Sequence, residues 1–218
     1  TYIAVTGYQG AHSSRPYRLK IDLTARTSIP LCSASFPYGA GEAISPTVHA
    51  VAPQALILLN KQRFDAFYGQ AGTTAMLARL ADLASDATVQ GVILPVESDP
   101  AVGAAYDAWD EDACNPGTAN HVARAIKDLV ESWLTDYPSV RYLVIVGGDE
   151  VIPFRRVPDQ VRISNEDTYR RSAGVAQETP LYYSLAEGYT LSDDFYADLV
   201  PFSWFGRDLY LPDYAIGR

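Results

Sequence analysis

Residues that usually announce a reactive or metal site are scarce in this chain. Its 218 residues include two cysteines, one methionine and three histidines. Cys32 and Cys114 are too few for a disulfide scaffold and lack metal-site spacing. No stretch reaches the roughly 18 consecutive apolar residues that a membrane helix needs. The opening TYIAVTGYQG has neither the basic start nor the apolar run of a signal peptide. The sole methionine is Met76, so Thr1 reads as an internal residue and both ends as trimmed, and no localisation follows. Basic side chains are also the minority, 17 against 26 acidic, for a net charge of -9. That balance argues against nonspecific binding to nucleic acid or anionic membranes, which requires lysine and arginine to neutralise phosphates. What remains is an ordinary globular composition, 48% apolar and 20% charged, in a chain long enough for one large domain or two small ones.

Residues 1–53 read as a β-rich segment. In RPYRLKIDL, Tyr17, Leu19, Ile21 and Leu23 alternate with more polar neighbours, and prolines 30, 37, 46 and 53 punctuate the rest. From residue 54 the rhythm changes. ALILLN (55–60) and GVILPV (91–96) are continuous apolar runs, the signature of strands covered on both faces. Between them, Met76, Leu77, Leu80, Leu83 and Ala84 share one helical face. A second helix spans 120–134, with Val122, Ile126, Leu129, Val130 and Trp133 in periodic register and Asn120 as a candidate cap. RYLVIVGGDE (141–150) is the strongest strand pattern. Alternating strands and helices predict an α/β domain over 54–218, with a mostly parallel sheet flanked by helices. WDEDACN (109–115) reads as a solvated acidic loop. Residues 151–192 read as a long connection, either a functional loop or an insertion. SWFGRDLYL reads as a hairpin or an Asp-rich turn, and residues 214–216 as a last strand.

Several groups are candidates for chemistry. Gly147 and Gly148 end a buried strand and place Asp149 at the carboxyl edge of the sheet, where open parallel sheets bind ligands. Asp149 either touches a ligand or organises loops by accepting backbone hydrogen bonds. No GxGxxG fingerprint and no phosphate-loop motif is present. Asp193, Asp194 and Asp198 can gather a hard cation such as calcium; the alternative is a solvated turn with a local Asx cap. Cys114 with His121, or Cys32 with His49, would have to meet in space to form a nucleophilic dyad; ordinary packing explains each of these residues as well. Arginines 155, 156, 162, 170 and 171 face either an anionic partner or intramolecular carboxylates.

Three stretches in order, RYLVIVGGDEVIP (141–153), SDDFYADL (192–199) and PDYAIGR (212–218), resemble segments of the gingipain-like cysteine peptidases, within the caspase-like fold group. The resemblance covers about residues 55–218. It adds Pro153 and Tyr196 to the loop-organising residues Gly147, Gly148, Asp149 and Asp193. It implies an α/β peptidase in which a cysteine attacks the scissile carbonyl, a histidine assists proton transfer, and backbone amides hold the oxyanion. In that family both catalytic residues follow later strands, so no catalytic residue is assigned here. The resemblance also makes calcium binding at Asp193 and Asp194 plausible and Arg218 a candidate processing site. A downstream segment or second processed chain is then the expected partner, with a protein or peptide as substrate. Two other functions stay open: an inactive peptidase-like binding or scaffold domain, and a flavodoxin-like ligand-binding domain.

Overall fold

A computed structural model describes residues 43–161, 165–177 and 179–218. Its main sheet has five strands: β1 (Thr47–Val48), β2 (Ala55–Leu59), β3 (Gly91–Pro95), β4 (Tyr142–Ile145) and β9 (Ala215–Gly217), in the order β1-β3-β2-β4-β9. β3, β2, β4 and β9 run parallel, and β1 adds antiparallel to β3. Every residue of β2 and β3 is buried, as continuous apolar runs require when both faces of a sheet are covered. The predicted strand of residues 17–23, and most of the β-rich segment, lie outside the described residues.

Helices cover both faces. α1 (Lys61–Ser85) starts at Asn60, whose side chain accepts from the Arg63 amide at 2.9 Å, and breaks at Gly69, where φ is 74°. Its second half lays Met76, Leu77, Leu80 and Ala81 on Ile57, Leu59 and Ile93. On the opposite face, α2 (Pro100–Glu111) and α3 (Pro116–Asp136) pack on Leu56, Leu58, Val92, Leu94, Leu143 and Ile145. This is the larger core, and Trp109, Ile126 and Val130 are wholly inside it.

Several expectations need correction here. The 109–115 stretch is not a solvated loop: α2 runs through Glu111, and Val102, Ala105, Tyr106 and Trp109 form its buried stripe. Asp99 accepts from the amides of Ala101 and Val102, and Pro100 sits where a missing N–H costs nothing. The cap of α3 is Asn115, not Asn120, because Pro116 starts the helix a turn earlier. The helix expected around Met76 to Ala84 also begins well before that stripe, at Lys61, its first turns being polar outside and anchored at Phe64.

The rest of the chain decorates the carboxyl edge. β5 (Arg155–Pro158) pairs antiparallel with β6 (Tyr189–Ser192). Between them lie α4 (Glu166–Ala173) and α5 (Pro180–Ala186), capped by Asn165 and Thr179. The one-turn helix α6 (Asp194–Ala197) follows, then the hairpin β7 (Phe202–Trp204) and β8 (Arg207–Leu209). Cover is uneven on the α1 side. Tyr142 is 53% exposed, Val144 is half-buried, and Ala215 and Gly217 are exposed, so the described residues leave the β4–β9 half of that face open. The outer edge of β9 has no strand partner among the described residues.

Candidate functional site at the carboxyl edge of the sheet

The loop joining β4 to β5 leaves the sheet at Gly147, where φ is 110°, a region that favours glycine. A Cβ there would stand 2.8 Å from Val151 Cβ and 3.0 Å from Phe64. Gly147→Ala is therefore expected to cost at least the 1–3 kcal/mol, roughly, of a strained backbone position, read as a lower denaturation midpoint. An unchanged midpoint would contradict this tight turn. The amides of Val151 and Ile152 then close back on Gly148 O at 3.0 and 3.1 Å.

Beyond this turn a run of exits from secondary structure would leave carbonyls unpaired, and side chains from four other elements answer them. Arg218 Nη1 donates to Gly147 O at 2.9 Å and to Ile152 O at 2.8 Å. Arg63 Nη1 donates to Glu150 O at 2.9 Å and Tyr106 Oη to Val151 O at 2.7 Å. Tyr196 Oη donates to Pro153 O. Burial pushes both tyrosine hydroxyls well above their ordinary pKa, which keeps them protonated donors.

Asp149, 7% exposed, is the pivot of the loop. Its Oδ1 accepts from the Phe154 amide at 3.0 Å, and its two oxygens accept from Arg156 Nη1 and Nη2, each at 2.6 Å. Arg156 is itself 1% exposed and donates further to Ser184 Oγ at 3.1 Å and Phe154 O at 2.6 Å. A fork-to-fork pair of this kind supplies direction as well as attraction. Asn120, freed from capping, grips the backbone of Arg156 at both ends: it accepts from its amide at 2.8 Å and donates to its carbonyl at 2.9 Å. Sequence spacing gives no sign of that role.

Arg218 brings the three resembling segments together. Nε and Nη2 hold the two oxygens of Asp193 at 3.0 and 2.6 Å, Nη1 holds the β4 loop, and the guanidinium lies 4.0 Å from the centre of the Phe154 ring. Asp193 is thus committed to an arginine, while Asp194 is exposed and its amide donates to Ser192 Oγ. Asp198 is buried: its Oδ2 accepts from the Leu211 amide at 2.5 Å, and its carbonyl accepts from Lys127. The segment is no solvated turn, because Phe195, Tyr196 and Ala197 are completely buried and Asp193 makes no side-chain cap. Among the described residues, no group of three or more His, Cys, Asp or Glu side chains could hold a metal ion.

The crevice between β2 and β4, the switch point of this strand order, is where a doubly wound sheet takes a ligand. Here Arg63 bridges it. The side chain is 3% exposed, reaches from α1 to Glu150 O, pairs with Asp110 at 2.5 Å, and lies 4.2 Å from the ring centre of Tyr106. Beside it, at the end of β3, stands Glu97, which no sequence pattern singles out. Its Oε1 accepts from the Lys61 amide at 2.9 Å, so it adds to the cap of α1. Its Oε2 is buried without a hydrogen-bond partner among the described residues, and burial raises its pKa to about 7.

Thiol chemistry finds no support within the described residues. Cys114 is 1% exposed and disulfide-bonded, contrary to the reading of a merely packed thiol; the other cysteine, Cys32, lies outside the described residues. His121 is exposed on α3, and His49 lies beside β1 with its Nε2 buried and unpartnered among the described residues. His12 is outside the described residues. Of the arginines, Arg156 pairs with Asp149, and Arg170 and Arg171 both pair with Asp167. Arg162 lies outside the described residues.

Fold and site together define a helix-covered α/β domain with a mixed, mostly parallel sheet and a loop hub at its carboxyl edge. No family model, curated protein or solved structure matches the chain.

Proposed function

We propose that these residues form the structural, noncatalytic part of a gingipain-like cysteine endopeptidase with a caspase-like sheet. The observation that carries this reading is convergence. The three stretches that resemble the family are far apart in sequence, and they meet at one hub through Arg218–Asp193, Tyr196–Pro153 and Asp149–Arg156. Their order in the chain alone would not require that.

In this reading the chain holds the first half of the sheet, and a further polypeptide segment pairs along β9 and covers the open β4–β9 face. A parallel sheet normally has both faces covered, and an unpaired edge invites another strand. The nucleophilic cysteine and its histidine belong to that segment. Arg218 then serves to hold the loop, since all its nitrogens are engaged; a protease reading its side chain would first have to break those contacts. The flavodoxin-like alternative is disfavoured because Arg63 spans the crevice such a ligand would use.

The test is casein hydrolysis by the parent polypeptide and by residues 1–218 alone, each with and without iodoacetamide. Hydrolysis by the parent only, abolished by the alkylating agent, is the expected result. An inert parent would favour the scaffold function instead, and hydrolysis indifferent to thiol alkylation would contradict a cysteine nucleophile.

A further inference from the structure

Next to the hub, with Arg156 in its wall, a cleft of about 430 Å³ lies between β5 and the β7–β8 hairpin. That volume falls within the roughly 300–1,000 Å³ of small-ligand sites. Its lining includes every residue of β5 and every residue of β8, so it follows both strands as a trough. At about 3.3 Å per residue, three or four extended residues match its length. β8 pairs with β7 on one side only, and its other edge has no strand partner among the described residues.

The charge lining this trough is opposite to that of the molecule. Arg155 and Arg207 both line it, in a chain of net charge -9. Among the described residues Arg155 donates to Asn120 O alone, at 3.4 Å, and its Nε has no partner; the guanidinium packs 4.6 Å from the ring centre of Phe195. Neither arginine has a carboxylate partner among the described residues, whereas Arg63, Arg156, Arg170, Arg171 and Arg218 each have one. Asp208 also borders the trough, so one carboxylate stands in a lining that includes Arg155, Arg156 and Arg207. Val157, Leu209 and Tyr210 supply apolar wall.

We infer that this trough binds an extended acidic peptide segment, laid along the free edge of β8 with carboxylates on Arg155 and Arg207. Edge addition supplies main-chain hydrogen bonds, and the two arginines select for negative side chains. The site is independent of where a catalytic dyad lies.

Fluorescence anisotropy with a labelled pentapeptide of alternating glutamate and valine, titrated with the 218-residue protein, tests this directly. Saturable binding is expected. It should weaken at least tenfold when glutamine replaces glutamate in the peptide, and by a similar factor in the Arg155→Gln/Arg207→Gln variant. Because Arg155 also packs on Phe195, Arg207→Glu at an exposed position is the companion variant; it leaves that packing alone and should weaken binding too. Equal affinity for the glutamine peptide, unchanged binding by the variants, or no binding at millimolar protein would overturn the inference. Displacement by inorganic phosphate at the peptide's own concentration would also overturn it, by making the trough a simple anion site.

Discussion

Replacing Asp149 by alanine is expected to lower the unfolding free energy by about 3–5 kcal/mol, the usual cost of leaving a buried charge uncompensated. Arg156 is wholly enclosed, so its guanidinium cannot turn to water when the carboxylate is gone. The Phe154 amide loses its acceptor in the same step. Removing both charges with similar apolar volume, as in Asp149→Leu/Arg156→Met, should recover much of that loss, because desolvation of the pair offsets most of its attraction. Urea denaturation of the wild type, the single variant and the double variant measures both statements. A single variant within 1 kcal/mol of wild type, roughly the level of an exposed ion pair, would mean that the pair is not buried in solution.

Glu97 should make stability fall as pH rises from about 4.5 to 7. Burial raises its folded pKa from 4.5 to about 7, so between those values the folded chain binds more protons than the unfolded chain. The stability that this group contributes is therefore complete below its unfolded pKa and is lost as pH passes through the folded one. Each pH unit between the two values changes stability by about 1.36 kcal/mol, so the full effect is about 3 kcal/mol. Other carboxylates act in the opposite sense: hydrogen bonding to Thr88 lowers the pKa of Asp86, and to the Val161 amide that of Asp159. The informative quantity is thus the difference between wild type and Glu97→Gln. Glutamine cannot ionise, so the variant should gain stability relative to wild type between pH 5 and 8. Parallel stability–pH curves would show instead that Glu97 stays charged, with solvent reaching its Oε2.

Much of the sheet is legible in the sequence because its strands are local signals. Ala55–Leu59 and Gly91–Pro95 are unbroken apolar runs, and such runs mean strands buried on both faces. α3 is legible from its periodicity, though its start is drawn to Asn120 because that residue precedes the clearest part of the stripe. α2 is hidden by composition: the acidic residues near its end outweigh a buried face built on alanine, tyrosine and tryptophan. The site is legible only as separate pieces. Gly147–Asp149 can be placed at a strand end from sequence, but the pairing of Asp149 with Arg156 depends on how the loop doubles back. Asp193 reads in sequence as a candidate cation ligand; its arginine, twenty-five residues on, becomes a neighbour only once β9 lies beside β4. Glu97 and Asn120 carry no sequence signal for their roles, since burial against another element creates them.

The most direct measurement of the central claim is active-site labelling of the longer polypeptide that the proposal calls for, with a peptidyl acyloxymethyl ketone, followed by peptide mapping. The label should sit on a single cysteine outside residues 1–218, leaving Cys32 and Cys114 unmodified. Modification of Cys114, or of no cysteine at all, would contradict the proposal that this chain is the noncatalytic part of a thiol peptidase.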